Sequence, residues 1–184
     1  MIASEDKYAV KQYFGCLRIR GVQVKVLPTE DCRSSPTDVV KRLRDFRSEF
    51  DLESDDELWV FLDVDHHFTG THLKATTAAL RRAKTIQATV ALSNPCFELW
   101  LLLHHADPRA SYASCDAVSD HIRAVLGSYN KTGLKPERYS VETVRSAVRR
   151  AKTVGSEPTT TMGTDVWRLM EKLAARMSET AAKA

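Results

Sequence analysis

Two aspartates one residue apart, Asp63 and Asp65, follow an apolar run in the segment LWVFLDVDHH. Alternate side chains of an extended chain leave the same side, so both carboxylates face one way if the strand continues through them. A third acid, Glu5, closes the short apolar opening MIAS. In an open parallel sheet, ligands gather outside the carboxyl ends of the strands. Three carboxylates meeting at such an edge repel one another and shift one another's pKa unless a cation sits among them. Hard oxygen donors of that number suit Mg²⁺ or Mn²⁺, which keep positions open for water and phosphate. Glu98, one turn into the segment after the next strand, is either a further ligand or a buried hydrogen-bonding group among Phe97, Leu99 and Trp100. Lys131, in SYNKTG, has the charge to stabilise a phosphoryl transition state, or is a solvated surface lysine. His66 and His67 could donate to phosphate or move a proton near neutral pH; in a loop they are more often simply exposed. The His104-His105 pair ends a helix, where cations favour the dipole, and needs no functional explanation.

The elements that must position these residues are legible in the periodicity. Residues 1–4 and 22–26 read as strands, the second with Val22, Val24 and Val26 alternating with Gln23 and Lys25. Residues 7–19 carry an apolar helix stripe through Val10, Tyr13, Phe14 and Leu17. Ser35-Pro36-Thr37-Asp38 is a helix start, with a serine cap, proline in the first turn and an early acid. Residues 58–63 form a continuous apolar run expected of a strand covered on both faces. A helix through Leu73, Leu80 and Ala83 precedes a fourth strand-like segment, residues 86–92. Strict alternation of strands and helices implies parallel strands with right-handed crossovers, hence an α/β fold. Beyond Ser93 no further strand is expected. Residues 96–104, with Pro95 in the first turn, read as a buried helix, and residues 117–126, 141–153 and 164–177 are three more. The expected organisation is a sheet unit over residues 1–95 and a helical extension over residues 96–184, together one compact body.

Composition agrees with an ordinary globular chain. It has 184 residues, of which 43% are hydrophobic and 28% charged, enough for a core without disulfide staples. The four cysteines, at positions 16, 32, 96 and 115, form no CxxC pair, so neither a zinc knuckle nor a thioredoxin-type motif is available. The opening residues lack a signal-peptide pattern, and no apolar run approaches the ~20 residues of a membrane span. A reduced, cytoplasmic, non-membrane protein is expected. The net charge of +3 is uneven: residues 1–120 hold 15 Lys/Arg against 18 Asp/Glu, residues 121–184 hold 12 against 6. A basic C-terminal third suits a face that meets phosphate, or a solvated helical surface. Arg145, Arg149, Arg150 and Lys152 lie nearly on one stripe of it.

The segments LWVFLDVDHH, SNPCFELWLLLHH and LGSYNKTG together resemble RloB-like proteins of the Toprim superfamily, and SNPCFELWLLLH is the most specific of them. The opening SEDKYAVKQYF resembles that family's N-terminal glutamate motif, and the likeness continues in pieces through EPTTTMGTDVWRLMEKL. The resemblance implies a Toprim-like, four-stranded, mostly parallel sheet flanked by helices, with a C-terminal helical extension. It implies a metal site from Glu5, Asp63 and Asp65, with Glu98 and Lys131 as further catalytic residues. It also implies a role in bacterial anti-phage abortive infection beside a controlling ATPase. Two departures stand out: Asp6 occupies the place of the family's glycine, and Val10 that of a later acid.

The expected chemistry is Mg²⁺- or Mn²⁺-dependent phosphodiester hydrolysis, with Arg145, Arg149, Arg150 and Lys152 tracking a nucleic-acid backbone. DNA, tRNA and other RNA stay open as substrates, since phosphate contacts carry no sequence information; a homo-oligomer also stays open. The competing expectation is a non-cutting module that binds an ATPase or nucleic acid. A haloacid-dehalogenase-like aspartyl nucleophile fits poorly, because His66-His67 follows the second aspartate and the motif lies on the third strand.

Overall fold

The computed structural model describes residues 1–29, 33–50, 52–64, 72–155 and 157–181. Its centre is a five-stranded sheet in the order β2-β1-β3-β4-β5, built from β1 (Ile2–Ser4), β2 (Val26–Leu27), β3 (Trp59–Asp63), β4 (Thr89–Asn94) and β5 (Gly163–Thr164). The first four strands run parallel, and β5 pairs antiparallel to the end of β4, Ser93 opposite Thr164 and Asn94 opposite Gly163. The helices are α1 (Ala9–Cys16), α2 (Pro36–Glu49), α3 (His72–Thr85), α4 (Glu98–Leu103), α5 (Cys115–Leu126), α6 (Val141–Val154) and α7 (Val166–Ala181). The α/β reading of the sequence holds.

Period-two alternation sorts the strands between two cores. Ile2, Trp59, Phe61 and Ala91 face a core completed by α1, α4, α5, α6 and α7. Ala3, Leu58, Val60, Leu62 and Leu92 face the other, completed by Val39, Val40 and Leu43 of α2 and Ala79 and Ala83 of α3. Burial on both faces is why β3 reads as an unbroken apolar run. The helices after residue 95 therefore close one face of the sheet together with α1, and that core is continuous across residue 95. Helix α2 starts as its sequence suggests, and α5 and α6 start in the same way: Ser35, Ser114 and Ser140 accept from the backbone N–H groups of Asp38, Ala117 and Thr143, filling otherwise orphan donors. Gly127, at φ 73°, ends α5 in the left-handed region.

Four expectations need correction. The alternating residues 22–26 contribute a ladder only at Val26–Leu27, because β1 is three residues long and offers Ile2 and Ala3 as partners; Val22 and Val24 alternate because they pack on the core beside α1. Helix α1 is shorter than residues 7–19, ending where Leu17 turns extended. Pro95 lies before α4 rather than in its first turn, since the helix starts at Glu98. The sheet also gains a strand beyond Ser93. Strand β5 has two residues and no apolar alternation, so hydrogen bonding defines it: the hydroxyls of Ser93 and Thr164 meet at 2.8 Å, and the Asp165 N–H donates to the Leu92 carbonyl at 2.8 Å.

Candidate active site at the carboxyl edge of the sheet

The chain leaves β1 through a braced turn. Arg42, on α2, donates to the carbonyls of Ser4 (3.1 Å) and Leu27 (3.2 Å), and the Thr29 hydroxyl donates to the same Ser4 carbonyl at 3.1 Å. The next residue, Glu5, is half-buried, and its N–H donates to the Phe61 carbonyl at 3.3 Å, keeping it alongside β3. Ser4 Oγ accepts from the Asp6 N–H at 3.1 Å. Asp6 Oδ1 in turn accepts from the N–H groups of Tyr8 (2.6 Å) and Ala9, so its carboxylate caps α1.

Asp63 ends β3, and its Oδ1 accepts from the Phe97 N–H at 2.9 Å, just ahead of α4. Glu98, the first residue of α4, is only 6% exposed, and its Oε1 accepts from the Tyr129 hydroxyl at 3.2 Å. Burial, and then the charge of Asp6, raises the Glu98 pKa above the usual carboxylate value. Lys131 reaches back from the loop after α5, its Nζ 3.4 Å from Asp6 Oδ2. Burial pulls the Lys131 ammonium down, but Asp6, Glu98 and Asp63 outweigh it and hold its pKa above that of an ordinary lysine. Two sulfurs complete the cluster. Cys96 and Cys115 are joined as a disulfide, with Cα atoms 5.8 Å apart. One ligand atom from each of Asp63, Cys96, Glu98 and Cys115 lies within 4.8 Å of the others.

The structure thus brings Asp63, Glu98 and Lys131 together and puts Glu5 at the end of the neighbouring strand. Asp65, with His66 and His67, lies outside the described residues. Sequence reasoning missed five contributing residues. Asp6 registered only as a replaced glycine, although it caps α1 and holds Lys131. Tyr129 stood in SYNKTG two places from Lys131 and carried no signal of its own. Cys96 and Cys115, 19 residues apart in no recognised motif, are bonded rather than separate reduced thiols. Arg42 gives no sequence-level sign of its task, since its partners are carbonyls.

The basic stripe on α6 is divided. Arg150 donates to Asp107 Oδ1 and to the Leu103 carbonyl at the far end of α4, both at 2.8 Å. Lys152 pairs with Glu171 and lies over the Trp167 ring. Arg145 and Arg149 are exposed, and Arg149 donates to Ser146 Oγ at 2.9 Å. The two helix-ending histidines are both held away from the cationic form. His104 is buried, its Nδ1 donating to the Trp100 carbonyl (2.9 Å) and its Nε2 accepting from the Tyr13 hydroxyl (3.1 Å). Burial drives its pKa down to about 3. Burial also lowers His105, with Arg138 and Arg150 adding to the effect.

A mostly parallel α/β sheet with acids and a lysine gathered beyond its strand ends defines the architectural class of this domain. Within that class, the chain belongs to the RloB-like family, whose model matches residues 1–173. No curated protein and no solved structure matches it.

Proposed function

We propose that this chain is a metal-dependent nuclease of Toprim type, hydrolysing nucleic-acid phosphodiesters in anti-phage defence under the control of a partner ATPase. The observation that carries the reading is the cluster of Asp63, Glu98 and Lys131 at the carboxyl edge of the sheet, with Glu5 on the adjacent strand end. The defence role and the ATPase rest on the family resemblance.

The donor set fits a hard divalent cation. Glu5 and Asp63 offer carboxylate oxygens from neighbouring strand ends, with Asp65 added from the sequence, and the like-charge pressure of Asp6 on Glu98 is of the kind a cation relieves. When bound, Mg²⁺ or Mn²⁺ supplies an activated water and neutralises charge on the phosphate. The chain's own residues do the rest. Lys131, kept protonated by its acid neighbours, meets the charge that builds on the non-bridging phosphate oxygens. Glu98, its pKa raised first by burial and then by Asp6, is the group placed to donate to the leaving oxygen, and the Tyr129 hydroxyl fixes its orientation. Asp6 positions Lys131. Arg145 and Arg149, exposed on α6, would bear on the backbone of the substrate together with Arg150 and Lys152, whose pairs with Asp107 and Glu171 lie at the surface.

The test is cleavage of plasmid DNA and of total tRNA by the purified chain, with Mn²⁺ or with chelator, alongside Asp63→Asn and Asp65→Asn. Cleavage that needs the metal and disappears in both variants is expected. Cleavage unchanged in either variant, or a wild-type chain that binds Mn²⁺ and cuts neither substrate, overturns the reading in favour of a docking module.

A further inference from the structure

The cluster around Asp63 has a composition that hard-cation chemistry does not use. Two of the four ligand atoms gathered within 4.8 Å are sulfurs, those of Cys96 and Cys115. Cys96 is fully buried, one residue past Pro95, and Cys115 is half-buried in the first turn of α5. The two chain segments are held with Cα atoms 5.8 Å apart, a spacing within the range for a disulfide. The carboxylates are pre-oriented by outer partners: Asp63 by the Phe97 N–H and Glu98 by the Tyr129 hydroxyl. Hydrogen bonds of this sort, from groups that touch the ligands and not the ion, fix ligand geometry in metal sites. Two thiolates and two carboxylates are a tetrahedral donor set suited to zinc, while Mg²⁺ has no use for sulfur.

We infer that the reduced chain holds a thiophilic divalent cation, of the zinc class, between Cys96, Cys115, Asp63 and Glu98, and that the disulfide is the closed, metal-free form of the same site. The conversion balances with a dithiol as reductant. The Cys96–Cys115 bond breaks to give two thiols, and the dithiol closes to its own disulfide. Zinc then forms two Zn–S bonds as two thiol protons leave to solvent. The carboxylates supply the remaining two positions. Lys131 and the cation together offset three of the four negative charges. The site shares Asp63 and Glu98 with the nuclease reading, zinc taking their carboxylates in the reduced chain, but its failure is distinguishable because sulfur ligation is read without any cleavage.

The experiment uses the full chain, reduced and freed of metal, titrated with Co²⁺ as a spectroscopic substitute for zinc. One equivalent should produce tetrahedral visible bands and a sulfur-to-cobalt charge-transfer band, both erased by added Zn²⁺. The charge-transfer band should be lost in Cys115→Ser and in the disulfide-oxidised wild type. Tyr129→Phe, which keeps all four ligands, should weaken binding roughly tenfold. Cys16 and Cys32 remain in every variant, so a band persisting in Cys115→Ser would place the metal elsewhere and overturn the inference. Absence of a band in the reduced wild type would do the same. A parallel readout, alkylation of Cys115 in the reduced wild type with and without Zn²⁺, needs no variant to fold. Protection by zinc is expected, and equal labelling overturns the site.

Discussion

At the scale of single residues, the site stores unfavourable charge that the fold elsewhere must offset. Glu98 is buried near Asp6, and its folded-state pKa lies above the ordinary 4.5. The folded chain therefore keeps a proton that the unfolded chain releases, and folding is penalised as pH rises past about 4.5. Glu98→Gln, which still accepts from Tyr129, should melt higher than wild type at neutral pH. The difference should vanish below about pH 4.5, where both states of the wild type are protonated. A lower melting temperature at pH 7 would contradict this account of Glu98. His104 works in the opposite sense. It is neutral when folded, with a pKa of about 3, and an unfolded histidine takes up a proton near 6.5. Stability should therefore fall as pH drops from about 6.5 toward 3, and the slope of melting temperature against pH should flatten in His104→Gln. Lys131→Ala should reduce cleavage by roughly 100-fold, as expected for loss of one transition-state donor, with metal binding retained in calorimetry. Asp63, Glu98 and Lys131 are named as candidates from sequence, Asp63 by its strand end and Glu98 and Lys131 with a structural alternative beside each, and the structure gathers the three. Asp6, Tyr129 and the cysteine pair are not named, because their roles arise from contacts across 125, 31 and 19 residues.

At the scale of elements, local pattern and tertiary geometry divided the work. The two-sided burial of β3, the Ser35 cap of α2 and the helical stripe of α6 are written in short-range composition, and the structure follows them. Strand β5 is not, because two residues carry no period. Its position depends on a close approach between glycines: a Cβ on Gly155 would come within 2.7 Å of the Met162 carbonyl oxygen, and one on Gly163 within 3.0 Å of the Gly155 carbonyl oxygen. Both obstacles are backbone, so they cannot swing aside. Gly155→Ala should cost about 1–3 kcal/mol of stability, as forced overpacking does, measured by denaturant unfolding; an unchanged midpoint would contradict the close approach. Arg42 shows the same limit of sequence reading from another side. It ties the end of β1 to the segment after β2 and to α2 through carbonyls, partners that no residue pattern announces.

At the scale of the molecule, one edge of one sheet collects groups from across the chain. Glu5 and Asp6 come from the first turn, Asp63 from the middle strand, Glu98 from the helix after β4, and Tyr129 and Lys131 from the loop after α5. The helices after residue 95 are thus part of the site as well as cover for the sheet. No helix among the described residues is long and apolar enough to cross a membrane, and the longest apolar runs, in β3 and α4, go into the cores. The central claim is that the neighbouring ends of β1 and β3 share one hard cation. Calorimetric titration of Mn²⁺ into the disulfide-oxidised chain, in which Cys96 and Cys115 cannot compete as thiolates, tests it directly with wild type, Glu5→Gln and Asp63→Asn. The account predicts binding by the wild type that is lost in both variants. Equal binding in all three, or none in the wild type, would contradict it.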